Sequence, residues 1–189
     1  MLPDFLIYIL KLKLYAIILI GENMDLEYYM NQAIEEAKKS LEKDEVPIGA
    51  VVVLNGEIIG RGHNTIETDK SSLAHAEMNA IKEAQSHLGD WRLNGAYLFT
   101  SVEPCAMCAG AIVNARIDTL VYGCKDENRG FADSVFNIMQ VPSLNHRVNI
   151  IPAIRENEAK KLIQDFFRKL REIKWENLHI YTFIPNTAF

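Results

Sequence analysis

The sequence predicts an α/β sandwich in which a mixed five-stranded sheet carries helices on both faces. Segments with helical spacing of apolar residues alternate with short apolar runs of strand length, in the order αββαβαβ followed by βα. The pair Asn55-Gly56 separates two strand-like runs and is typical of a type I′ hairpin turn. No internal repeat or interdomain linker interrupts this order in the sequence, so a single main domain is expected.

The composition is that of an ordinary globular protein. Of the 189 residues, 49% are hydrophobic and 24% are charged, which excludes a disordered or fibrous chain. The formal net charge of −5 argues against a general nucleic-acid coat, although a local basic patch is compatible with it. Three cysteines are too few for a disulfide scaffold, and their odd number favours a reducing, cytoplasmic compartment.

Residues 1–23 form an apolar N-terminal extension that differs from the rest of the chain. They contain 16 apolar residues, with Lys11 and Lys13 inside the apolar run. A helix over 5–20 would reach only about 24 Å, which is short for a membrane core of about 30 Å. The pattern also lacks the cleavage site of a secretory signal. We expect Met24 to be the natural start and no membrane partner; a weak membrane-surface anchor is the alternative.

The first half of the domain is predicted to contain two helices and a hairpin. Asp25 is a plausible N-cap for a helix that runs to about Lys43. A polar loop is expected at 66–72, and Gly89 is expected to end the second helix. The two predicted strands and the second helix are Gly49–Leu54, Glu57–Gly62 and Ala74–His87.

The second half is predicted to alternate strands and helices up to a long closing helix. Pro104 is expected at the first position of the third helix, which ends near Ala115. An irregular linker over 125–146 is expected to hold a short helix near 134–139. The remaining strands and the closing helix are Ala96–Val102, Thr119–Gly123, Arg147–Ile151 and Glu156–Ile173. A C-terminal tail, 175–189, shows strand-like alternation at 178–184.

The candidate chemistry lies in two short motifs, His75-Ala76-Glu77 and Pro104-Cys105-Ala106-Met107-Cys108. Cys105 and Cys108 are spaced i, i+3 at a helix N-terminus, which places both sulfurs on one face and favours the thiolate form. With His75 they make a Cys₂His set, and three protein ligands are typical of a catalytic zinc that keeps one position for water.

Glu77 is the candidate general acid and base beside that zinc. Zinc lowers the pKa of water toward about 7, and a carboxylate nearby can take the proton and deliver it to a leaving group. Residues i and i+2 of a regular helix point about 200° apart. His75 must therefore precede the regular part of the helix if both side chains are to face one site.

Other interpretations of these motifs remain open on the residues alone. Cys105 and Cys108 could form a thioredoxin-like redox pair, which would need neither His75 nor Glu77. A structural zinc would need a fourth ligand, for which Cys124 is the spare cysteine, although a small buried apolar role suits Cys124 better. A zinc-stabilised interaction module is the non-enzyme alternative, and it would tolerate the loss of Glu77.

The combination of H-x-E with P-C-x-x-C resembles the zinc nucleobase deaminases of the cytidine deaminase superfamily. The chain is most similar there to bacterial tRNA-specific adenosine deaminases, from Met24 to about Lys174, and this range is the expected zinc deaminase domain. The matching segments are 45–50, 62–64, 75–78, 90–93, 103–110, 144–147 and the Phe166-Phe167-Arg168 run with Arg171. Asn128 and Asp133 depart from the lysine and glycine that are usual in the family.

The resemblance implies that one zinc ion per subunit and Glu77 deaminate the wobble adenosine of a tRNA anticodon to inosine, releasing ammonia. It also implies a cytidine-deaminase-like sandwich, a homodimer, and an anticodon stem-loop as partner. Asn64 and the backbone of Ala76 would hold the base. The implied pocket walls are Glu45, Val46 and Pro47, and the implied contacts to the rest of the loop are Asp126, Asn145, Arg147, Phe167, Arg168 and Arg171.

A guanine, cytosine or nucleoside deaminase of the same superfamily is the alternative enzyme. It would keep the zinc set without requiring the basic residues near the C-terminus. Residues 155–174 hold seven basic and four acidic side chains, a net charge of +3 in a chain of net −5. A basic excess confined to the closing helix favours an enzyme that grips one RNA loop.

Overall fold

The computed structural model describes residues 24–182, with side chains described as far as residue 173. The described helices are α1 (Leu26–Leu41), the one-turn α2 (Ile66–Asp69), α3 (Ala76–Leu88), α4 (Ala106–Asn114) and α5 (Glu156–Thr182). The strands are β1 (Gly49–Leu54), β2 (Glu57–His63), β3 (Tyr97–Val102), β4 (Thr119–Cys124) and β5 (Asn149–Ile151). Among the described helices, none is long and apolar enough to cross a membrane.

The five strands form one mixed sheet in the order β2-β1-β3-β4-β5. β1 pairs antiparallel with both β2 and β3, whereas β4 runs parallel to β3 and to β5. The β1–β2 register shifts at Val52 and Val53, which pair with Gly60 and Ile58 and leave Ile59 as an extra residue. The parallel pairs bring the carboxyl ends of β3 and β4 together at one edge of the sheet.

Helices cover both faces of the sheet, as the sequence predicts. On one face, buried side chains of α3 and α4 pack against inward residues such as Val52, Leu98 and Leu120. On the other, α1 packs on the alternate residues Val51 and Phe99, and α5 contacts the ends of β3 and β4. Alternate residues of the same strands thus point into two different cores.

Most predicted helices and strands are present, and several of them begin or end at the capping and turn residues that the sequence predicts. Asp25 caps α1, with its carboxylate accepting from the N–H of Tyr28 at 2.9 Å. Asn55 and Gly56 both have positive φ, as a type I′ turn requires. Gly89 ends α3 in the left-handed conformation.

Four local expectations are wrong. The predicted loop at 66–72 contains α2, because the buried Glu45 carboxylate binds two of its N–H groups. The linker helix is a single 3₁₀ turn at Ile138–Gln140, which begins where the Asn137 side chain accepts from the N–H of Gln140 at 3.1 Å. The third helix starts at Ala106, because Cys105 has extended backbone angles and is its N-cap. Pro104 therefore precedes the helix.

The fourth wrong expectation concerns the tail. Helix α5 continues to Thr182, so 178–182 is helical and not strand-like. Residues 174–182 contain neither Gly nor Pro, and each added helical residue gains a hydrogen bond. The predicted extension 1–23 and the end of the tail, 183–189, lie outside the described residues.

Candidate active site

The site is built where two helices begin. His75 is the N-cap of α3 and has extended backbone angles, φ −75° and ψ 153°. Cys105 is the N-cap of α4, also extended, with φ −71° and ψ 175°. His75 therefore precedes the regular helix, which removes the 200° conflict with Glu77 that an ideal helix would impose.

The three predicted ligand side chains meet in one group. The Nδ1 atom of His75 lies 3.7 Å from Sγ of Cys105 and 3.5 Å from Sγ of Cys108. The ligand atoms all lie within 4.8 Å of one another. Ligands that are bound tetrahedrally at about 2.0–2.3 Å from zinc are themselves about 3.5 Å apart. The donor types and their spacing therefore fit a zinc ion.

The sulfur pair is polarised towards one thiolate. The pKa of the Cys105 thiol is lowered to about 3, because Cys108 and His75 hydrogen-bond to its sulfur and outweigh the opposing effect of burial. The pKa of Cys108 is raised, because its thiol bonds to Cys105 and is buried. A thiolate beside an imidazole is a ready ligand set for a cation.

Glu77 lies in the first turn of α3 and is only 3% exposed. Its pKa is raised, chiefly because burial disfavours the charged carboxylate. A raised pKa makes the protonated carboxyl more accessible than it is for an ordinary glutamate, which suits a general acid and base.

Close packing of β2 on α3 holds this turn in place. A Cβ atom on Gly62 would lie 2.2 Å from the carbonyl oxygen of Ala76 and 2.5 Å from the nitrogen of Ala80. Only glycine allows the strand to approach the start of the helix so closely. The backbone of Ala76 is thereby positioned between the two functional side chains.

A pocket opens directly in front of the ligand group. Among the predicted residues, Val46, Asn64 and Asp126 line it together with His75, Glu77 and Cys105. Sequence reasoning missed five other lining residues: Ile48, Ile66, Val102, Glu103 and Arg129. Of these, Glu103 had a signal in the sequence, since an acid that ends a buried strand beside a ligand motif needs partners.

Glu45 and Pro47 are buried behind the pocket wall and are not among its lining residues. The Glu45 carboxylate accepts from the N–H groups of Glu67 and Thr68 at 3.2 and 2.6 Å. It also accepts from Nδ2 of Asn64 at 3.3 Å. Glu45 thus holds the Asn64 amide and the start of α2 together at one side of the pocket.

The other predicted RNA contacts lie outside the pocket lining. Asn145 is exposed and accepts from Nη1 of Arg116 at 2.9 Å, and Arg147 is exposed nearby in the chain. On α5, Phe167 is 42% exposed, whereas Phe166 is half-buried in a groove beside the end of α1. Arg168 and Arg171 are exposed on the same helix.

A Cys₂His group beside a buried glutamate, on a five-stranded sandwich of this kind, defines the class of nucleobase deaminases with a cytidine-deaminase-like fold. The MafB19-like deaminase family matches residues 24–171. The tRNA-specific adenosine deaminase of Bacillus subtilis (strain 168) is 49% identical over 148 residues, which are 78% of this chain and 92% of the relative.

Solved structures agree with this assignment. A structure from studies of A-to-I editing by tRNA:A34 deaminases at the wobble position superposes with a TM-score of 0.69 and 39% identity, over 71% of this chain and 98% of that one. A guanine deaminase from Bacillus subtilis superposes with a TM-score of 0.52 and 38% identity, over 54% and 66%. The chain belongs to the family of bacterial tRNA-specific adenosine deaminases, and it is a hydrolytic deaminase.

Proposed function

We propose that this enzyme deaminates the wobble adenosine of a tRNA anticodon to inosine. The observation that carries the proposal is the His75, Cys105 and Cys108 group beside the buried carboxyl of Glu77. Its geometry suits hydrolytic deamination, and the 49% identity to a relative named for tRNA adenosine favours that substrate.

One zinc ion per chain would be held by His75, Cys105 and Cys108. When bound there, zinc supplies the Lewis acidity that brings the pKa of water towards neutrality. Glu77 would take a proton from the attacking water and deliver protons to the ring and then to the amino group. A C6–O bond forms first and the C6–N bond then breaks, so that adenosine and water give inosine and ammonia.

The pocket residues would select and orient the base. Asn64, positioned by Glu45, and the backbone of Ala76 would bind the flipped-out adenine. Val46 would form a wall of the pocket, with Pro47 supporting it from behind. Asp126 would contact a neighbouring nucleotide at the pocket mouth.

The outer residues would grip the anticodon loop. The exposed side chains concerned are Asn145, Arg147, Phe167, Arg168 and Arg171. Aromatic and arginine side chains on one exposed helix can stack on bases and bind phosphates. A cytoplasmic location and a homodimer complete the proposal, and a dimer could cover apolar side chains such as Phe136, which is 54% exposed.

The second candidate function is deamination of a free base, favoured by the 38% identity to a guanine deaminase. Both candidates use the same ligand group and Glu77. They differ in the outer residues, because a free base would not reach Arg168 or Arg171. A comparison of activity on an anticodon stem-loop with activity on free bases therefore distinguishes the two candidate functions.

The deciding experiment offers the zinc-loaded protein an anticodon stem-loop with a wobble adenosine, beside free guanine and cytidine. We expect inosine and ammonia from the stem-loop alone. Glu77→Ala should keep one zinc per chain and lose activity by at least about 10²-fold, whereas Glu83→Gln, at an exposed position of the same helix, should be unaffected. Product from guanine and none from the stem-loop would favour the second candidate, and retained activity of Glu77→Ala would remove this residue from the chemistry.

A further inference from the structure

The Glu103 carboxylate is a buried charge that the proposed chemistry does not use. It is 3% exposed, follows β3 directly, and stands two residues before the ligand Cys105. Its side chain points towards the segment 126–134, which we call the rim loop. The two neighbouring backbones are also joined there, since the Phe131 N–H donates to the carbonyl of Pro104 at 2.9 Å.

Five donors of the rim loop converge on this single carboxylate. Backbone N–H groups of Ala132, Asp133 and Ser134 donate to Oε1 at 3.2, 2.7 and 2.9 Å. The Asp126 N–H donates to Oε2 at 3.1 Å, and the Ser134 hydroxyl donates to the same oxygen at 2.5 Å. Both ends of the rim loop are thus bound to one side chain. Both carboxylate oxygens are therefore fully used as acceptors, three donors on Oε1 and two on Oε2.

Gly130 allows the loop to close over the carboxylate. A Cβ atom there would lie 2.3 Å from the carboxylate carbon and from Oε2 of Glu103. Contacts of that length do not occur in folded proteins, so any larger residue would push the loop and Glu103 apart. The absence of a side chain at this position and the five hydrogen bonds are two independent indications of the same close fit.

The rim loop carries two side chains to the pocket. Asp126 and Arg129 line it, beside His75 and Cys105. The loop is also organised internally, because Asp126 Oδ1 accepts from the N–H groups of Asn128 and Arg129 at 3.2 and 3.0 Å. The position of both pocket side chains therefore depends on the tether of the loop ends.

We propose that Glu103 is a positioning residue that holds the rim loop in the shape that presents Asp126 and Arg129 to the RNA flanking the target base. Glu103 lines the pocket, but all five hydrogen bonds of its carboxylate go to the rim loop, and it acts through that loop. The identity of the substrate in this inference rests on the proposed function. The attachment of the rim loop to Glu103 does not depend on it. Glu103 therefore influences the binding of a polynucleotide more than the chemical step.

The test combines hydrogen exchange with steady-state kinetics on the zinc-loaded protein and the anticodon stem-loop. Glu103→Gln keeps the size of the side chain, but it removes acceptor positions and places an NH₂ group among donors. We expect the amides of 132–134 to exchange at least about tenfold faster in this variant. We also expect KM for the stem-loop to rise by about tenfold or more, with kcat changed less than about threefold and zinc content unchanged.

Two further variants keep the test valid if Glu103→Gln folds poorly. Gly130→Ala should reproduce the rise in KM by forcing the loop off the carboxylate, and Ser134→Ala should give a smaller rise, because it removes one donor of five. Glu57→Gln is the matched control, since it makes the same chemical change at an exposed position of β2 outside the rim loop, and it should leave both readouts unchanged.

The outcomes separate this inference from the proposed function. Unchanged amide exchange in Glu103→Gln would overturn the tether, whatever the substrate. Faster exchange with an unchanged KM, or a fall in kcat alone, would overturn the positioning role. A wild-type protein that does not deaminate the stem-loop would contradict the proposed function and with it the RNA assignment, while the exchange data would still decide whether Glu103 holds the loop.

Discussion

Glu45 and Glu77 both carry almost fully buried carboxyl groups, but the surroundings of the two groups differ. For Glu45, burial alone would raise the pKa, but hydrogen bonds from the backbone of Thr68 and Glu67 lower it below its ordinary value. For Glu77, burial dominates and the pKa is raised. One acid is therefore held as an anion that braces structure, while the other is able to exchange protons.

The hydrogen bonds that the Glu45 carboxylate accepts should make the free energy of unfolding depend on pH. A carboxylate with a depressed pKa in the folded state stabilises the fold above its ordinary pKa near 4.5, and this contribution is lost as the pH falls through the folded value. We expect Glu45→Gln to lower the free energy of unfolding by about 2 kcal/mol at pH 7. The difference from wild type should shrink below pH 4.5.

Urea unfolding between pH 7 and pH 3 measures this difference. The protein is used free of zinc, so that release of the metal at low pH does not contribute to the result. Glu42→Gln, at an exposed neighbouring position, is the control and should follow wild type throughout. A difference that stays constant over the whole range would show that the charge of Glu45 is not what stabilises the fold.

At the level of elements, the contact between β2 and α3 determines where the first ligand turn lies. Gly62 places the strand against the carbonyl of Ala76, between His75 and Glu77. The two functional side chains are thus supported by a strand that contributes no ligand. A small displacement of β2 would be transmitted directly to the turn, because the packed backbones leave no intervening space.

Gly62→Ala should therefore weaken both the fold and the metal site. We expect a loss of about 1–3 kcal/mol in the free energy of unfolding from overpacking, together with a lower zinc affinity. Gly110→Ala provides the opposite case, since a Cβ there meets no atom within 4 Å and alanine is the better helix former. It should raise stability by up to about 1 kcal/mol.

Thermal unfolding and competition with a chelator give the two measurements. If Gly62→Ala binds zinc as tightly as Gly110→Ala, the strand does not support the ligand turn.

The elements that could be predicted from sequence are those specified by neighbouring residues. The hairpin at Asn55-Gly56, the Asp25 cap and the Cys105/Cys108 spacing are all local patterns. The hairpin turn and the cap are confirmed, and the two sulfurs lie in one group with His75, while their role as zinc ligands stays a prediction. The short helix at 66–69 and the shape of the rim loop depend on Glu45 and Glu103, which lie about twenty to thirty residues away in sequence. No local pattern reports such a partner, so those segments could not be predicted.

On the scale of the whole molecule, charge is distributed unevenly. Residues 155–174 carry a net +3 within a chain of net −5. Arg168 and Arg171 are exposed on that helix, although Arg168 already lies 3.0 Å from Asp165 through Nη2 and Oδ1. An RNA phosphate would have to compete with this exposed ion pair, which is worth little in water.

Replacing these arginines should weaken RNA binding without altering the chemistry. We expect Arg168→Ala and Arg171→Ala each to raise KM for the stem-loop and to reduce the slope of log binding constant against log salt by about 0.7. The effect should be independent of base sequence. Lys82→Ala, an exposed cation on α3, is the control.

Filter binding at several salt concentrations measures these slopes. A slope that is unchanged in both arginine variants would place the RNA elsewhere on the molecule.

The two outer strands of the sheet have a consequence for how copies of the chain can associate. β5 has only three residues, and β2 carries an extra residue and charged side chains such as Glu57. The Arg61 N–H on β2 is already taken by the Glu83 carboxylate at 3.2 Å. Edge strands that are short or irregular, or whose N–H groups are already hydrogen-bonded, resist pairing with further strands. Any self-association should therefore proceed through helices or loops, and not by continuing the sheet from one copy of the chain to the next.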